Sequence, residues 1–186
     1  MQTNHPFRLV PFPGSTGTSG ISISGSVART AGNLAIRFDV AGNLDDIDIA
    51  PPADVPERRD HLWEATCLEM FLGFPASEGY LEFNFSPARH WNAYRFDGYR
   101  NGMRRETLLR DLPVATERTS DRFSLSLEAG ISGLLPNSRP IPAGITAVIR
   151  KRDGTTTYWA LTHTGPEPDF HRRDSFALRL PGHEGV

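Results

Sequence analysis

The feature of this sequence that most constrains its fold is a series of short segments in which apolar and polar residues alternate between glycines and prolines. In residues 80–86, leucine and phenylalanine occupy the odd positions, and polar residues or tyrosine occupy the even positions. An alternation with a period of two places successive side chains on opposite faces of a β-strand. Pro87 then ends the segment, since proline cannot donate a ladder hydrogen bond. The pattern predicts a strand with one core face and one polar face.

Segments of the same kind recur along the chain and predict an all-β fold. Residues 34–40 alternate clearly, and residues 62–73 are apolar on both faces, as in a central strand. Asp153-Gly154 is a hairpin signal between two further segments, 145–150 and 156–163. Weaker strands are expected at 21–28, 92–96, 107–116, 123–127 and 175–180, with a short helical turn within 129–135. The set predicts a single-domain antiparallel β-sandwich of about ten strands.

Size and charge define the class of protein. A chain of 186 residues suffices for one domain, with its core at about 21–180. Its net charge of -2 favours neither nucleic acid nor an anionic membrane as a partner. The single cysteine, Cys67, excludes an intrachain disulfide, and its apolar strand predicts an inert core thiol. The first residues lack a secretory signal, and no apolar run reaches the length of a membrane span. These observations predict a cytoplasmic protein.

The polar face of residues 80–86 is the first candidate binding surface. A turn at residues 75–79 would make 62–73 an antiparallel neighbour, which would put Glu69, Glu82 and Asn84 on one face, together with Arg37. Carboxylates, an amide and a guanidinium can hydrogen-bond sugar hydroxyls while aromatic rings contact the C–H surfaces. The alternative is a solvated outer face with ion pairs between strands. Acids inside strands favour binding, because unpaired buried charge is costly.

Aromatic and histidine side chains supply further candidates. One or two of the seven tryptophans and tyrosines are expected to contact a ligand, the others being core residues. Trp91 is the one expected to be exposed, since it follows a loop, and Trp63 and Tyr94 are the other stacking candidates. His163 and His171 delimit a polar loop, and loops at the end of a sandwich often carry function. The prolines of that loop could equally serve only to stiffen it.

Cofactor ligands form two sets of candidates. No closely spaced histidine and cysteine set is present, so a structural zinc is not expected. Haem requires two axial ligands, and calcium prefers oxygen ligands in a loop. The haem candidates are Met70, Met103, His61, His163 and His171, and the calcium candidates are Asp45, Asp46 and Asp48. The alternative for the three aspartates is an acidic solvated loop.

Several segments together resemble a bacterial DOMON-like family over residues 34–180. The segments are 62–71, 80–87, 91–96, 99–100, 158–163 and 168–171. The resemblance implies a jelly-roll-like β-sandwich related to family 9 carbohydrate-binding modules and to haem- or sugar-binding DOMON domains. Such relatives bind a ligand on the sheet face or at the loop end. The chain departs from the haem-binding pattern because no Met/His pair stands in matching strands. It departs from secreted sugar-binding modules because it shows no signal peptide and no partner catalytic domain.

Residues and resemblance together predict a small-molecule binding module whose ligand is a carbohydrate or contains a sugar. Its expected contacts are hydrogen bonds from Arg37, Glu69, Glu82 and Asn84, stacking by Trp63, Trp91 or Tyr94, and the loop histidines His163 and His171. Two alternatives remain open. One is a domain that binds haem or another redox cofactor. The other is a hydrolase that uses Glu69 or Glu82 with a histidine, which predicts a carboxylate of raised pKa in a concave pocket.

Overall fold

The structure, a computed structural model, describes residues 4–183 and consists of β-strands with three short 3-10 turns. The strands are β1 (Asn4–Pro11), β2 (Ser22–Thr30), β3 (Asn33–Ala41), β4 (Cys67–Gly73), β5 (Tyr80–Phe85), β6 (Trp91–Phe96), β7 (Arg104–Arg105), β8 (Ala115–Arg118), β9 (Arg122–Gly130), β10 (Ile141–Arg150), β11 (Thr156–Ala160) and β12 (Leu178–Leu180). The 3-10 turns are Leu44–Asp46, Leu62–Glu64 and Arg173–Ser175. No helix long and apolar enough to cross a membrane occurs in this part of the chain.

The strands form two antiparallel layers, which confirms the predicted β-sandwich. Sheet A has the order β1-β2-β3-β9-β8, and sheet B has the order β7-β6-β5-β4-β10-β11. Strand β12 pairs with the first residues of β10. Strand β1 belongs to both sheets, because its first six residues pair with β2 while Val10 and Pro11 pair with β11. The two sheets are therefore joined through hydrogen bonds along one strand.

The main core lies between the sheets and follows the alternation in the sequence. Leu81, Phe83 and Phe85 of β5 all point into it, as predicted. Within the same core, Phe38 of β3 packs edge-on against Phe7 of β1 with ring centroids 5.5 Å apart. Burial of side chains of this size supplies most of the stabilisation of a sandwich, at about 1.5–3 kcal/mol for each one.

The face of sheet B that points away from the core is also covered by other parts of the chain. Residues 161–177 run over it from β11 to β12, and Phe176 from this segment packs on Phe71 of β4. Tyr80 of β5 and Phe96 of β6 stack beside them, with ring centroids 4.7 Å apart. The prediction of a polar-aromatic face therefore holds, but much of that face is roofed by chain rather than open to solvent.

The strand predictions were wrong in several places, among them residues 62–64 and 175, which belong to 3-10 turns that precede β4 and β12. Residues 4–11 form β1, although Pro6 and Pro11 concealed the alternation of Phe7 and Leu9. Proline is accepted at position 6 because this part of β1 has a hydrogen-bonded partner on one side only. Residues 107–116 are mostly loop, and only the last two of them belong to β8.

A buried arginine ties one end of sheet A to neighbouring loops. Arg29 of β2 is fully buried, and its guanidinium donates to the carbonyls of Arg139 (2.9 Å), Pro181 (3.2 Å), Asn137 (3.4 Å) and Pro136. Burial lowers the pKa of its guanidinium. No acid pairs with Arg29 within residues 4–183, so the carbonyl dipoles stabilise its charge.

Candidate functional site

The register of sheet B assembles the floor of the site. Glu69 lies opposite Asn84 on one side and opposite Thr146 on the other. Glu82 lies opposite Phe71, so Glu69 and Glu82 are diagonal neighbours. The prediction that Glu69, Glu82 and Asn84 share one face is confirmed. All three are buried, with 2%, 4% and 0% of their surfaces exposed.

A concavity of about 360 Å³ opens above this floor. Its polar lining consists of Glu69, Glu82, Arg100 and His171. Its apolar and aromatic lining consists of Trp63, Phe71, Phe96, Met103, Val148, Tyr158, Pro168 and Phe170. A mostly apolar cleft with a few convergent polar groups is the usual form of a small-molecule site. We call it the sheet B pocket.

The two carboxyl groups on the floor favour protonation. Burial, and then the charge of Glu82, raises the pKa of Glu69 to about 8, although a 2.9 Å hydrogen bond from the Thr146 hydroxyl opposes the shift. Burial raises the pKa of Glu82 to about 7, opposed by a 2.8 Å hydrogen bond from the Asn84 amide and by the charge of Arg100. Like charges close together in a dry site do not readily ionise together. Near neutral pH the pair retains a proton.

His171 faces Glu69 and Glu82 from residues 161–177, the segment that covers sheet B and is called the covering segment below. The Nδ1 atom of His171 lies 2.8 Å from the Tyr80 hydroxyl, which itself accepts a 3.2 Å bond from the backbone N–H of Arg100. We assign the Tyr80 proton to the bond with Nδ1, and this assignment places the histidine proton on Nε2. That atom stands 4.0 Å from Oε2 of Glu82, a gap too long for a direct hydrogen bond. Burial lowers the pKa of His171 to about 4, so the ring is neutral.

Replacing Tyr80 with Phe tests this assignment of the proton. In the wild-type protein we expect His171 to be the Nε2–H tautomer at pH 7, and we expect Tyr80→Phe to shift the population towards Nδ1–H because the bond to Nδ1 is lost. Nitrogen NMR of histidine-labelled protein measures the two forms directly. A wild-type Nδ1–H tautomer would contradict the assignment.

The rim of the pocket combines an ion pair with aromatic rings. Arg100 pairs with Asp169 at 2.9 Å, and the Tyr99 hydroxyl donates to the same carboxylate at 2.5 Å. Tyr158 of β11 contacts Phe170 with ring centroids 6.1 Å apart. These contacts hold the covering segment against the loop after β6 and leave ring surface facing the cavity.

Trp63 and Tyr94 lie at the other side of the pocket. Their ring centroids are 5.8 Å apart, and Trp63 is only partly buried. The Tyr94 hydroxyl donates to Asp60 at 2.7 Å and accepts from Asn92 at 2.8 Å. Tyr94 therefore supports Trp63 instead of facing the cavity. Asn84 likewise acts below the floor, where its amide orients the carboxyl of Glu82.

Two of the predicted ligand residues lie outside the sheet B pocket, because the strands that carry them point their side chains to other parts of the molecule. Arg37 belongs to β3 in sheet A, where it bonds Asp39 and the Ser124 hydroxyl and borders a separate shallow groove. The expectation that it shares a face with Glu69 was wrong. Trp91 begins β6 and points into the core between the sheets, with 2% of its surface exposed. The expectation of an exposed Trp91 was wrong because strand parity, not the preceding loop, sets its direction.

His163 also lies outside the pocket lining. Its Nε2 atom is 3.0 Å from the carbonyl oxygen of Val10, and its ring packs edge-on against Phe12. Of the two predicted histidines, only His171 faces the floor. The structure thus brings together Trp63, Glu69, Glu82 and His171 in the pocket, with Asn84 and Tyr94 as their supports.

Sequence reasoning missed several lining residues, including Arg100, Tyr158 and Phe170. Parity could have identified Tyr158, because the neighbouring Trp159 faces the core. No periodic signal marks Arg100 or Phe170, since both lie in loops whose course depends on tertiary contacts.

The candidate cofactor ligands do not assemble. Within residues 4–183, no group of three or more histidine, cysteine, aspartate or glutamate side chains is arranged to hold a metal ion. Met70 is sealed in the core, and His61 stands beside Glu64 at the surface. Only Met103 and His171 reach the pocket. A porphyrin in this pocket would place its apolar face on the two buried carboxyl groups of the floor, so the pocket fits this cofactor poorly.

Comparison with known proteins identifies solved structures with a similar fold. No family model and no curated protein sequence matches the chain. Among solved structures, it is similar to a protein of Bacteroides uniformis that is inferred to bind carbohydrate, with a TM-score of 0.66 and 13% identity over 98% of this chain and 87% of that one.

Two further structures show family 9 carbohydrate-binding modules of Caldicellulosiruptor kristjanssonii. The complex with cellotriose has a TM-score of 0.62 and 11% identity, covering 97% of this chain and 84% of that one. The complex with glucose has a TM-score of 0.57 and 10% identity, covering 92% and 82%. At these identities the similarity establishes the β-sandwich fold.

Proposed function

We propose that the protein binds a small carbohydrate in the sheet B pocket. The observation that carries this proposal is the pair of buried carboxyl groups at the floor of an open cavity with partly exposed aromatic rings at its rim. Polar groups at the floor recognise hydroxyls, and ring faces contact the C–H surface of a sugar. Three structures of similar fold, two of them complexes of family 9 modules with glucose or cellotriose and the third of a protein inferred to bind carbohydrate, support this choice.

The gap between His171 and Glu82 suggests how one hydroxyl is held. A hydroxyl placed between them accepts a hydrogen bond from Nε2–H of His171 and donates one to Oε2 of Glu82, because the two atoms are 4.0 Å apart. Trp63, Tyr158 and Phe170 offer ring surface above that position. A volume of about 360 Å³ suits a sugar of one or two units.

Trp63 provides a direct measurement of binding. Trp91 and Trp159 are 2% and 3% exposed, so quenching by a solute in solution reports mainly on Trp63. We expect a bound sugar to protect the fluorescence of the protein from quenching. We also expect Trp63→Ala to weaken binding about tenfold, which corresponds to about 1.4 kcal/mol of lost ring contact.

Phe74→Ala is the matched control, because Phe74 is a partly buried ring that packs against Arg95 and does not line the sheet B pocket. It should leave the affinity unchanged in a calorimetric titration. A panel of mono- and disaccharides that neither protects the fluorescence nor raises the melting temperature would contradict the proposal.

A second candidate function is hydrolysis of a glycosidic bond, which the carboxyl pair itself favours. Glycosidases use one protonated and one ionised carboxyl group, and the raised pKa values of Glu69 and Glu82 give such a mixed state near neutral pH. If this activity is present, Glu82→Gln should abolish the release of sugar from an oligosaccharide while retaining binding. Recovery of an intact oligosaccharide after prolonged incubation with the wild-type protein would exclude it for that substrate.

A further inference from the structure

We propose, building on the proposed function, that the preferred ligand of the sheet B pocket is an amino sugar whose protonated amine lies between Glu82 and the aromatic rim. The proposal concerns the same pocket, and it adds the charge of the ligand. It stands on three features: an unpaired carboxyl oxygen, an excess of acidic groups and the position of the rings.

The first feature is the Oε2 atom of Glu82. Glu82 is 4% exposed, and its Oε1 atom accepts the bond from Asn84. No hydrogen bond reaches Oε2 from any residue between 4 and 183, and the nearest cationic candidate is the His171 ring at 4.0 Å. The Oε2 atom is thus open to the pocket and has no donor from the protein, so a cationic ligand at this position adds a charge-assisted hydrogen bond.

The second feature is the charge balance around the floor. The titratable groups that face it from the surrounding strands and loops are Cys67, Glu69, Tyr80, Glu82, Arg100, Asp169 and His171. Arg100 is the one cation among them, and Asp169 pairs with it at 2.9 Å. Since burial keeps His171 neutral, the two floor carboxyl groups have no cation of their own.

The third feature is the aromatic wall. Trp63, Tyr158 and Phe170 line the same cavity as the carboxyl groups. Ring faces attract ammonium groups through their quadrupoles, and the attraction increases when water is excluded. An organic ammonium can contact both the rings and Glu82, whereas no group of three or more histidine, cysteine, aspartate or glutamate side chains in residues 4–183 is arranged to hold a bare metal ion.

Binding of an ammonium has a consequence that a neutral sugar does not share. The positive charge favours the ionised form of the carboxyl pair, so the pair must release protons when the amine binds. We expect a release of about half a proton per amino sugar at pH 7, because a Glu82 carboxyl group of pKa about 7 is half protonated there, and little or none with a neutral sugar. The release is measured by calorimetry in two buffers of different ionisation enthalpy.

The test compares glucose and galactose with their 2-amino and 2-acetamido counterparts at pH 7. The acetamido sugars carry substituted nitrogen without charge. We expect the amino sugars to bind at least about tenfold more tightly than both neutral forms. Glu82→Gln should reduce the ratio of the two affinities, amino sugar over neutral sugar, to about twofold or less, whatever its effect on the affinity for the neutral sugars. Glu117→Gln, on the exposed outer part of sheet A, is the matched control and should preserve the preference.

The outcomes separate this inference from the proposed function. Equal affinities for the amino and neutral sugars would overturn the ammonium inference and leave sugar binding intact. Failure of every sugar to bind would overturn both. If Glu82→Gln melts much earlier than the wild type, the wild-type comparison and its proton release still decide the inference on their own.

Discussion

Replacing Glu69 with Gln should make the protein more stable above pH 7.5 and leave its stability near pH 5 almost unchanged. Burial and the charge of Glu82 raise the pKa of Glu69 from 4.5 to about 8. A group whose pKa is raised by folding stabilises the folded state below its unfolded value, and this contribution is lost as the pH rises through the folded value. Between about pH 4.5 and pH 8 the wild type therefore loses stability that the neutral amide keeps.

We expect a gain of up to about 4–5 kcal/mol for Glu69→Gln at pH 8.5, since the pKa rises from 4.5 to about 8 and each pKa unit corresponds to about 1.36 kcal/mol. For a chain of this length the melting temperature should rise by up to about 10–18 °C. The amide introduced by Glu69→Gln can still accept the bond from Thr146, and its N–H group can donate towards Glu82. Thermal melts at a series of pH values measure the difference.

The control is Glu117→Gln, because Glu117 is 79% exposed at its side chain and should alter the pH profile very little. A Glu69→Gln profile parallel to that of the wild type from pH 5 to pH 9 would show that Glu69 ionises normally. The pocket would then not hold one protonated and one ionised carboxyl group near neutral pH.

Replacing Arg29 with Ala should destabilise the protein by about 3–5 kcal/mol. Removal of the guanidinium leaves four carbonyl groups without their donor and opens a cavity in a fully buried position. Urea unfolding gives the free energy, and limited proteolysis should show earlier cleavage in the loop that carries Asn137.

Arg29→Lys separates charge from hydrogen-bonding geometry. The ammonium keeps the charge but cannot reach as many carbonyls, so we expect an intermediate loss of about 1–3 kcal/mol. Sugar affinity should be unaffected in either variant that remains folded, because the Arg29 side chain bonds to loops away from the pocket. A loss below about 1 kcal/mol for Arg29→Ala would mean that the carbonyl groups are readily hydrated without it.

Alternation predicted the parts of the fold that depend on a strand's own residues. Leu81, Phe83 and Phe85 entered the core, and Glu82 and Asn84 took the other face, because a two-residue period leaves no other arrangement once one face is buried. The same rule would have placed Trp91 correctly if residue 91 had been treated as part of its strand. Pro6 and Pro11 hid β1, since proline is a signal against strands whose exceptions depend on tertiary position.

Only part of the candidate site could be predicted from the sequence. Glu69 and Glu82 could be paired because their strands are neighbours joined by a short turn. Arg37 could not be assigned to a sheet, because sequence alternation does not reveal which layer a strand joins. Arg100 and Phe170 reach the pocket through loops fixed by the ion pair with Asp169, and such long-range contacts leave no local pattern.

The double membership of β1 has a consequence for the synthesis of the chain. Val10 and Pro11 pair with Ala160 and Trp159, which lie near the other end of the chain. Until those residues have been synthesised, strand β1 has no partner in sheet B. The apolar interior between the two sheets is therefore closed only by a pairing between residues far apart in sequence, and such pairing forms slowly and leaves apolar surface exposed to aggregation while the chain folds.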